Sequence, residues 1–249
     1  EIDELIAINN LQFVEHNVQE IIDEDSISIK LNIFEGEKIL VERINITGNN
    51  ITNETVIRGE LIMDEGDPFT KLNLDKSMAN IKSRNIFLTA EQEVIDGSEK
   101  NLKIINIKVE EKPTGEISAG AGIGTDGGSI AFNVTENNWL GEGKNIGFDV
   151  ELTQDSLTGT VNYTDPNYDL LGNSLNYYLS SSDNSKPDSG FKNTVFEAGV
   201  GTSFEQYKNV FANLGLSASH DDLETTAGAS NSLIQQSGTF NEIAGNYGF

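Results

Sequence analysis

The chain has 249 residues and a net charge of −24, from 40 acidic and 16 basic residues. This balance argues against nucleic acid as a partner, because phosphate binding requires clustered lysine and arginine side chains. The absence of cysteine excludes thiol chemistry, disulfide bonds and cysteine-ligated metal.

Residues 1–36 predict the C-terminal part of a small mixed domain. Residues 2–11 (IDELIAINNL) have the pattern of a helix end. Two strand-like stretches follow, FVEHNVQEII and ISIKLNIFEGE, and the second has one apolar face made of Ile27, Ile29, Leu31 and Ile33. We interpret the chain as a fragment whose first domain begins further upstream.

Residues 37–113 predict a complete domain with the element order strand, helix, helix, strand, strand. ILVERINITG alternates as a strand does, and ITNETVIRGELIM predicts a helix with Thr52 or Asn53 as its N-cap. NLDKSMANIKSRNIF predicts a second helix, because its apolar residues recur at helical spacing. FLTAEQEVIDG and LKIINIKVEEK predict two strands. Residues 1–36 repeat the end of this domain at a spacing of about 75 residues, which indicates tandem copies.

Residues 114–249 alternate between apolar residues and small or polar ones. The first stretch, GEISAGAGIG, places Ile117 and Ile123 on one face and Gly120, Gly122 and Gly124 on the other. Six further stretches and a weaker eighth continue the alternation without a helical period. A soluble β-sandwich shows the same alternation, so other features have to separate it from a membrane barrel.

Loop lengths and aromatic residues favour a transmembrane barrel. The last two odd-numbered connections, the fifth and the seventh, read as much longer than the turns between them, as in outer-membrane barrels. Trp139, Tyr168 and Tyr207 lie at even-numbered turns, where an aromatic girdle is expected. We therefore place Trp139, Leu140 and Tyr168 at membrane-interface turns, against the alternative of a hydrophobic cap on a soluble sheet.

The sequence resembles a known family over nearly its whole length. The stretches that carry the resemblance are INITGNNITNETVIRGEL, EGDPF, SMANIKSRNIF, KVEEKPTGEISAGAGIGTDGGSIAFNVTENNWLGEG and YTDPNY. They are similar to barrel assembly factors, which join periplasmic POTRA domains to an outer-membrane β-barrel. The resemblance implies that residues 1–36 end one POTRA domain and that residues 37–113 form the last one. Residues 114–249 would then be the N-terminal half of an antiparallel transmembrane β-barrel, with about eight strands, so that the fold class is α+β POTRA domains followed by this half barrel.

The resemblance also implies a site at the first barrel strand, which in this family forms one side of a lateral gate. The matching residues are Gly115, Ile117, Gly120, Gly122 and Gly124. Each glycine weakens a strand by about 0.5–1 kcal/mol relative to alanine, which agrees with an edge that opens easily. The alternative is that glycine simply fits a crowded barrel interior, and both explanations stay open.

A second implied site lies on the last POTRA domain. The family docks an accessory lipoprotein through the first helix of this domain and the loop after it, and the matching residues are Arg58 and Glu65. The alternative is that both are solvated surface charges, which usually contribute little.

The remaining motifs do not support catalysis. GIGTDG fits G-x-G-x-x-G, but a strand follows where a phosphate site needs a helix. His220, Asp221, Asp222 and Glu224 read as the solvated charges of an acidic outer loop rather than as a cation site. With two histidines in the chain, no Ser-His-Asp arrangement stands out. We expect no catalytic residue, no metal and no cofactor, and hence a protein that is not an enzyme.

The function implied by the resemblance is insertion of β-barrel proteins into the bacterial outer membrane, with the POTRA domains in the periplasm. The expected partners are unfolded outer-membrane proteins, accessory lipoproteins and outer-membrane lipid. Two alternatives remain open. One is a related exporter for two-partner secretion or autotransporter assembly, and the other is a small closed barrel that ends at Phe249 and carries a periplasmic arm.

Overall fold

The computed structural model describes residues 14–23, 26–36, 38–124, 127–169, 171–208, 210–226 and 228–249. The chain divides into two compact units, Glu1–Asn49 with Glu60–Glu111, and Asn50–Gly59 with Lys112–Phe249. The helix end expected at residues 2–11 lies outside the described residues.

The first described element of the first unit is a two-stranded hairpin. Strand β1 (Val14–Asp23) pairs antiparallel with β2 (Ser26–Glu35) along its whole length. The pairing confirms the two strands predicted in residues 1–36. The apolar side chains of Ile27, Ile29 and Ile33 in β2 are exposed.

A three-stranded sheet and one helix complete the first unit. Strand β3 (Leu40–Thr47) runs parallel to β5 (Leu102–Glu111), and β4 (Phe87–Asp96) pairs with β5 from the other side in the antiparallel sense. Helix α2 (Lys71–Ser83) begins at Thr70, whose hydroxyl accepts a hydrogen bond of 3.1 Å from the Asn73 N–H. The core residues buried here are Val41, Ile44, Leu74, Met78, Ile81, Ile86, Ile105, Ile107 and Val109.

The helix predicted over residues 51–63 is much shorter in the structure. Helix α1 spans only Glu54–Arg58, with Asn53 as N-cap and Gly59 as C-cap, and it belongs to the second unit. The predicted extension is wrong, because the helix ends at the C-cap Gly59. The Ile62 N–H then donates to the Ser77 hydroxyl over 2.9 Å instead of continuing the hydrogen bonds of the helix.

The second unit is an eight-stranded antiparallel meander. Its strands are β6 (Gly115–Gly124), β7 (Gly127–Trp139), β8 (Lys144–Thr153), β9 (Ser156–Asp165), β10 (Ser174–Lys186), β11 (Phe191–Tyr207), β12 (Val210–Thr225) and β13 (Gly238–Gly248). Each strand pairs with its sequence neighbour, so β6 and β13 form the two edges of the sheet. This confirms the predicted order of eight alternating strands.

The predicted loop pattern is wrong at the fifth connection. The polar stretch from residue 181 to residue 193 is mostly strand, and only residues 187–190 lie outside the ladder between β10 and β11. Polar side chains pair across this hairpin instead, and Lys192 lies 2.8 Å from Asp183. The seventh connection is long, as expected, and contains helix α3 (Asn231–Gln236). None of the helices in the described ranges has the length and hydropathy of a membrane span.

Candidate functional site at the first strand of the large sheet

The large sheet has one apolar and one polar face. Exposed apolar side chains cover the first face along all the strands, among them Ile117, Ile130, Phe132, Phe148, Leu152, Leu179, Phe196, Val200 and Leu216. Polar side chains bond to one another across the second face. The Tyr178 hydroxyl donates to Glu197 over 2.6 Å, and the Thr158 and Ser182 hydroxyls lie 3.2 Å apart. An exposed apolar face backed by a hydrogen-bonded polar face is the pattern of a transmembrane barrel wall.

Strand β6 is one of the two edges of this wall, and β13 is the other. All ten of its residues are exposed, and within the described part of the chain it pairs only with β7, from Gly115 opposite Glu136 to Gly124 opposite Gly127. A Cβ added at Gly120 or Gly124 meets no described atom within 4 Å, whereas one at Gly122 lies 3.2 Å from the Ser129 hydroxyl. An added Cβ at Gly115 would lie 3.1 Å from the Glu136 carboxylate. The choice between a weak edge and a crowded barrel interior stays open for these glycines.

The turn after β7 carries Trp139 and Leu140. Trp139 is the last residue of β7, and 42% of its surface is exposed. Leu140 follows with φ +55°, and its exposed fraction is 74%. A left-handed backbone costs a residue with a Cβ about 1–2 kcal/mol, so an exposed leucine at this position is unfavourable in water. Tyr168 is also half exposed, in the connection between β9 and β10. Both turns therefore have the surface expected of membrane-interface turns.

Replacing Leu140 by asparagine distinguishes the cost of the left-handed backbone from the contribution of the apolar side chain. Asparagine tolerates the left-handed conformation, so the thermal stability of the detergent-solubilised protein is expected to be unchanged or slightly higher. The yield of folded protein in phospholipid vesicles is expected to fall, because about 1.5 kcal/mol of apolar burial is lost. Leu140→Met is the matched control and should insert normally. If the asparagine variant inserts as well as the unmodified protein, the interface assignment of Leu140 is wrong.

Residues 50–59 are joined to the same turn by hydrogen bonds. The Asn138 side-chain amide donates to the Thr52 hydroxyl over 2.9 Å, and both residues are buried. The backbone N–H of Asn53 donates to the Gly141 carbonyl over 2.8 Å. The Asn138 carbonyl oxygen Oδ1 also accepts from the Gly143 N–H, 2.8 Å away. We call residues 50–53 and 136–143 together the junction.

The second interface turn is held by Asp169. Its carboxylate accepts from the N–H groups of Leu171 and Asn173 and, over 2.6 Å, from the Asn173 side chain. Desolvation raises the pKa of Asp169, but the hydrogen bonds from Asn173, Leu171 and Gly172 together hold it below its usual range. This turn is thus organised by its own residues, whereas the first turn also binds residues 50–53.

The proposed lipoprotein-contact residues both have partners within the chain. The Arg58 guanidinium lies 2.7 Å from the Glu54 carboxylate, one helical turn earlier. The Glu65 carboxylate accepts from the Ile44 N–H over 3.0 Å. Arg58 and Glu65 belong to different compact units, and their assignment as partner contacts stays a prediction.

The acidic group in the seventh connection is placed differently from expectation. His220, Asp221, Asp222 and Glu224 lie in strand β12, not in an outer loop. The His220 ring nitrogen Nδ1 lies 2.7 Å from the Asn241 side chain, and Asp222 accepts from the Thr239 hydroxyl. Among the described residues, no group of three or more His, Cys, Asp or Glu side chains is arranged to hold a metal ion.

The junction was not singled out from the sequence. Asn138, Thr52 and Gly141 read only as a turn residue, a possible N-cap and a turn glycine. The available signal was the glycine pair in NWLGEG, since two glycines within three residues indicate backbone that needs positive φ or close approach. Gly141 and Gly143 both have positive φ.

These features together define a transmembrane β-barrel wall preceded by a small α+β domain. Comparison with known families agrees with this class. Residues 39–112 match the POTRA family, described as a surface antigen variable number repeat, and residues 138–249 match the Omp85 superfamily domain.

Similar proteins point to the same architecture. The chain is 28% identical over 207 residues to the outer membrane protein assembly factor BamA of Neisseria meningitidis, covering 80% of this chain and 26% of that protein. It is 30% identical over 148 residues to a putative outer membrane protein assembly factor of Treponema pallidum, covering 57% of this chain and 18% of that protein. The chain thus spans about a quarter or less of these curated relatives.

Solved structures share the fold. BamA from Haemophilus ducreyi lacking POTRA domains 1–3 matches 99% of this chain and 52% of that one, with a TM-score of 0.68 and 20% identity. CdiB from Acinetobacter baumannii matches 97% of this chain and 47% of that one, with a TM-score of 0.58 and 10% identity. The chain thus combines a segment that matches the POTRA model with a segment that matches the Omp85 barrel domain model, and its place is the outer membrane with the POTRA domain in the periplasm.

Proposed function

We propose that the protein inserts β-barrel proteins into the bacterial outer membrane without enzymatic chemistry. The observation that carries the proposal is strand β6, a glycine-rich strand at one edge of the large sheet within the described residues. An edge strand offers unpaired N–H and C=O groups to an incoming strand. The assembly-factor names of the relatives from Neisseria meningitidis and Treponema pallidum support this function.

The first step in this proposal is capture in the periplasm. Strands β3 and β4 are the edges of the three-stranded POTRA sheet, and an unfolded outer-membrane protein adds a strand to such an edge through main-chain hydrogen bonds. The barrel then opens laterally at β6, and the client strand pairs there before leaving into the bilayer. The free energy comes from folding of the client itself.

Two surfaces contact the other proposed partners. An accessory lipoprotein docks on α1 and the following loop, where Arg58 and Glu65 present their charges. Outer-membrane lipid contacts the interface turns through Trp139, Leu140 and Tyr168, which are all exposed.

A disulfide lock tests the lateral opening. One cysteine is placed in β6 and its partner in the strand that closes the barrel, in the full-length protein. Assembly of client barrels is expected to stop under oxidising conditions and to recover with reductant. The matched control joins β6 to β7 through Ser118→Cys and Asn133→Cys, which are register partners, and it should not affect assembly. If the locked protein assembles clients at the normal rate, the proposal that the barrel opens at β6 is wrong. A locked protein that still releases a soluble partner would indicate an exporter instead.

A further inference from the structure

The junction contains a buried polar pair that joins residues distant in sequence. Asn138 and Thr52 are separated by 86 positions, and their exposed fractions are 8% and 2%. When a buried polar group loses its hydrogen-bond partner, it is left unpaired, and this costs free energy. The contact between the Asn138 amide and the Thr52 hydroxyl therefore fixes residues 50–53 on the turn, together with the bond from Asn53 to Gly141.

A bulge in β7 explains why Asn138 is free to make this contact. The pairing of β7 with β8 shifts register between Glu136 and Trp139. Residues 137 and 138 are thereby released from the regular ladder, as the extra residues of a bulge are. The bulge redirects the Asn138 side chain to Thr52 and to the Gly143 N–H.

The same bulge is bonded to the start of the first strand. The Glu136 carboxylate accepts from the Asn138 N–H over 2.7 Å and also from the Thr114 hydroxyl. The Asn137 N–H donates to the Thr114 carbonyl over 3.4 Å. Thr114 directly precedes Gly115, the first residue of β6. A continuous series of hydrogen bonds thus runs from Thr52 through Asn138 and Glu136 to the start of β6.

We propose that Asn138 is a positioning residue that couples residues 50–59 to the start of the first strand. Residues 50–59 include α1 and Arg58, so a partner that binds α1 and shifts Thr52 would loosen β6 at residues 114–118. This coupling deepens the proposed function and rests on it for its biological role. The junction itself is a property of the chain and is measured independently of client assembly.

Hydrogen–deuterium exchange of the full-length protein in membranes tests the coupling. Asn138→Ala removes the amide, and Thr52→Val removes the hydroxyl while keeping the side-chain shape. Each variant is expected to speed exchange at residues 114–118 by about five- to tenfold, the effect of one buried hydrogen bond. The two effects are expected to be less than additive in the double variant, because both changes break the contact between Asn138 and Thr52. Exchange in β10 and β11 should stay unchanged.

Asn173→Ala is the matched control, since Asn173 also holds an interface turn but contacts Asp169 within that turn. It should leave exchange at residues 114–118 unchanged. Unchanged exchange in both single variants, additive effects in the double variant, or an equal effect of the control would each overturn the coupling. If Asn138→Ala does not fold, the Thr52→Val result decides alone.

Client assembly is measured on the same variants. Faster exchange with an altered assembly rate supports both the coupling and the proposed function. Faster exchange without any client assembly by the unmodified protein supports the coupling and overturns the proposed function. Unchanged exchange in a protein that assembles clients, and stops when locked, overturns the coupling and leaves the proposed function standing.

Discussion

Replacing Gly48 by alanine is expected to destabilise the POTRA domain by about 3–5 kcal/mol. Gly48 follows β3 with φ +93°, and an added Cβ would lie 1.9 Å from the Val109 carbonyl oxygen. That carbonyl belongs to β5, which is paired with β3, so the two strands would have to separate. Against a typical stability of about 5–15 kcal/mol, the loss leaves a measurable unfolded population. Pulse proteolysis in urea, followed on residues 39–112, measures the change.

Gly66→Ala is the matched control for this substitution. Gly66 has φ +94°, but an added Cβ meets no described atom within 4 Å. Only the backbone cost of about 1–2 kcal/mol is therefore expected. Equal losses of stability in the two variants would show that the contact of the added Cβ with the Val109 carbonyl does not determine the cost at Gly48.

The second large effect is expected for Gly141→Ala. Gly141 has φ +74°, and an added Cβ would lie 2.1 Å from the Ile51 carbonyl oxygen. Because backbone cannot move aside as a flexible side chain does, residues 50–53 would be forced off the turn. The Asn53 amide, which donates to Gly141, is expected to lose protection against hydrogen exchange by at least about tenfold, the equivalent of ~1.4 kcal/mol.

Gly172→Ala controls for the backbone conformation in this experiment. Its φ is +77°, and the nearest atom to an added Cβ is the Asn167 side-chain oxygen at 3.9 Å. The Asn53 amide should remain protected in this variant. Should Asn53 stay protected in Gly141→Ala as well, the packing of residues 50–53 on the turn would be contradicted.

Local patterns predicted most of the secondary structure. The alternation in residues 114–249 gave the eight strands and the identity of the two faces, because side chains on a strand alternate between faces. Helical spacing of Leu74, Met78 and Ile81 located α2, whose buried side is made of these residues. The neighbouring residues predicted turns at Trp139, Leu140 and Tyr168, and the exposure of these three side chains is consistent with that prediction.

These local patterns could not predict contacts between residues that are distant in sequence. Nothing near Thr52 in the sequence indicates a partner 86 positions away. Gly48 and Gly141 look like ordinary turn glycines, because the carbonyls that exclude a side chain there belong to Val109 and Ile51. The fifth connection was read as a loop because its residues are polar. Polarity does not prevent a ladder when cross-strand partners such as Asp183 and Lys192 are available.

The unequal strand lengths give the barrel wall an uneven upper rim. Strands β8 and β9 have 10 residues each, and β11 has 17. At about 3.3 Å per residue and a tilt of about 45°, 10 residues cover roughly 23 Å and 17 residues roughly 40 Å. The shorter strands therefore just cross an apolar band of about 25 Å. Ser156, the first residue of β9, pairs with Asn184, so the β10–β11 hairpin extends past β9 by residues 185–192. At the opposite end, residues 204–207 of β11 extend past the first residue of β10, so the extra length of β11 would project beyond the apolar band on both sides.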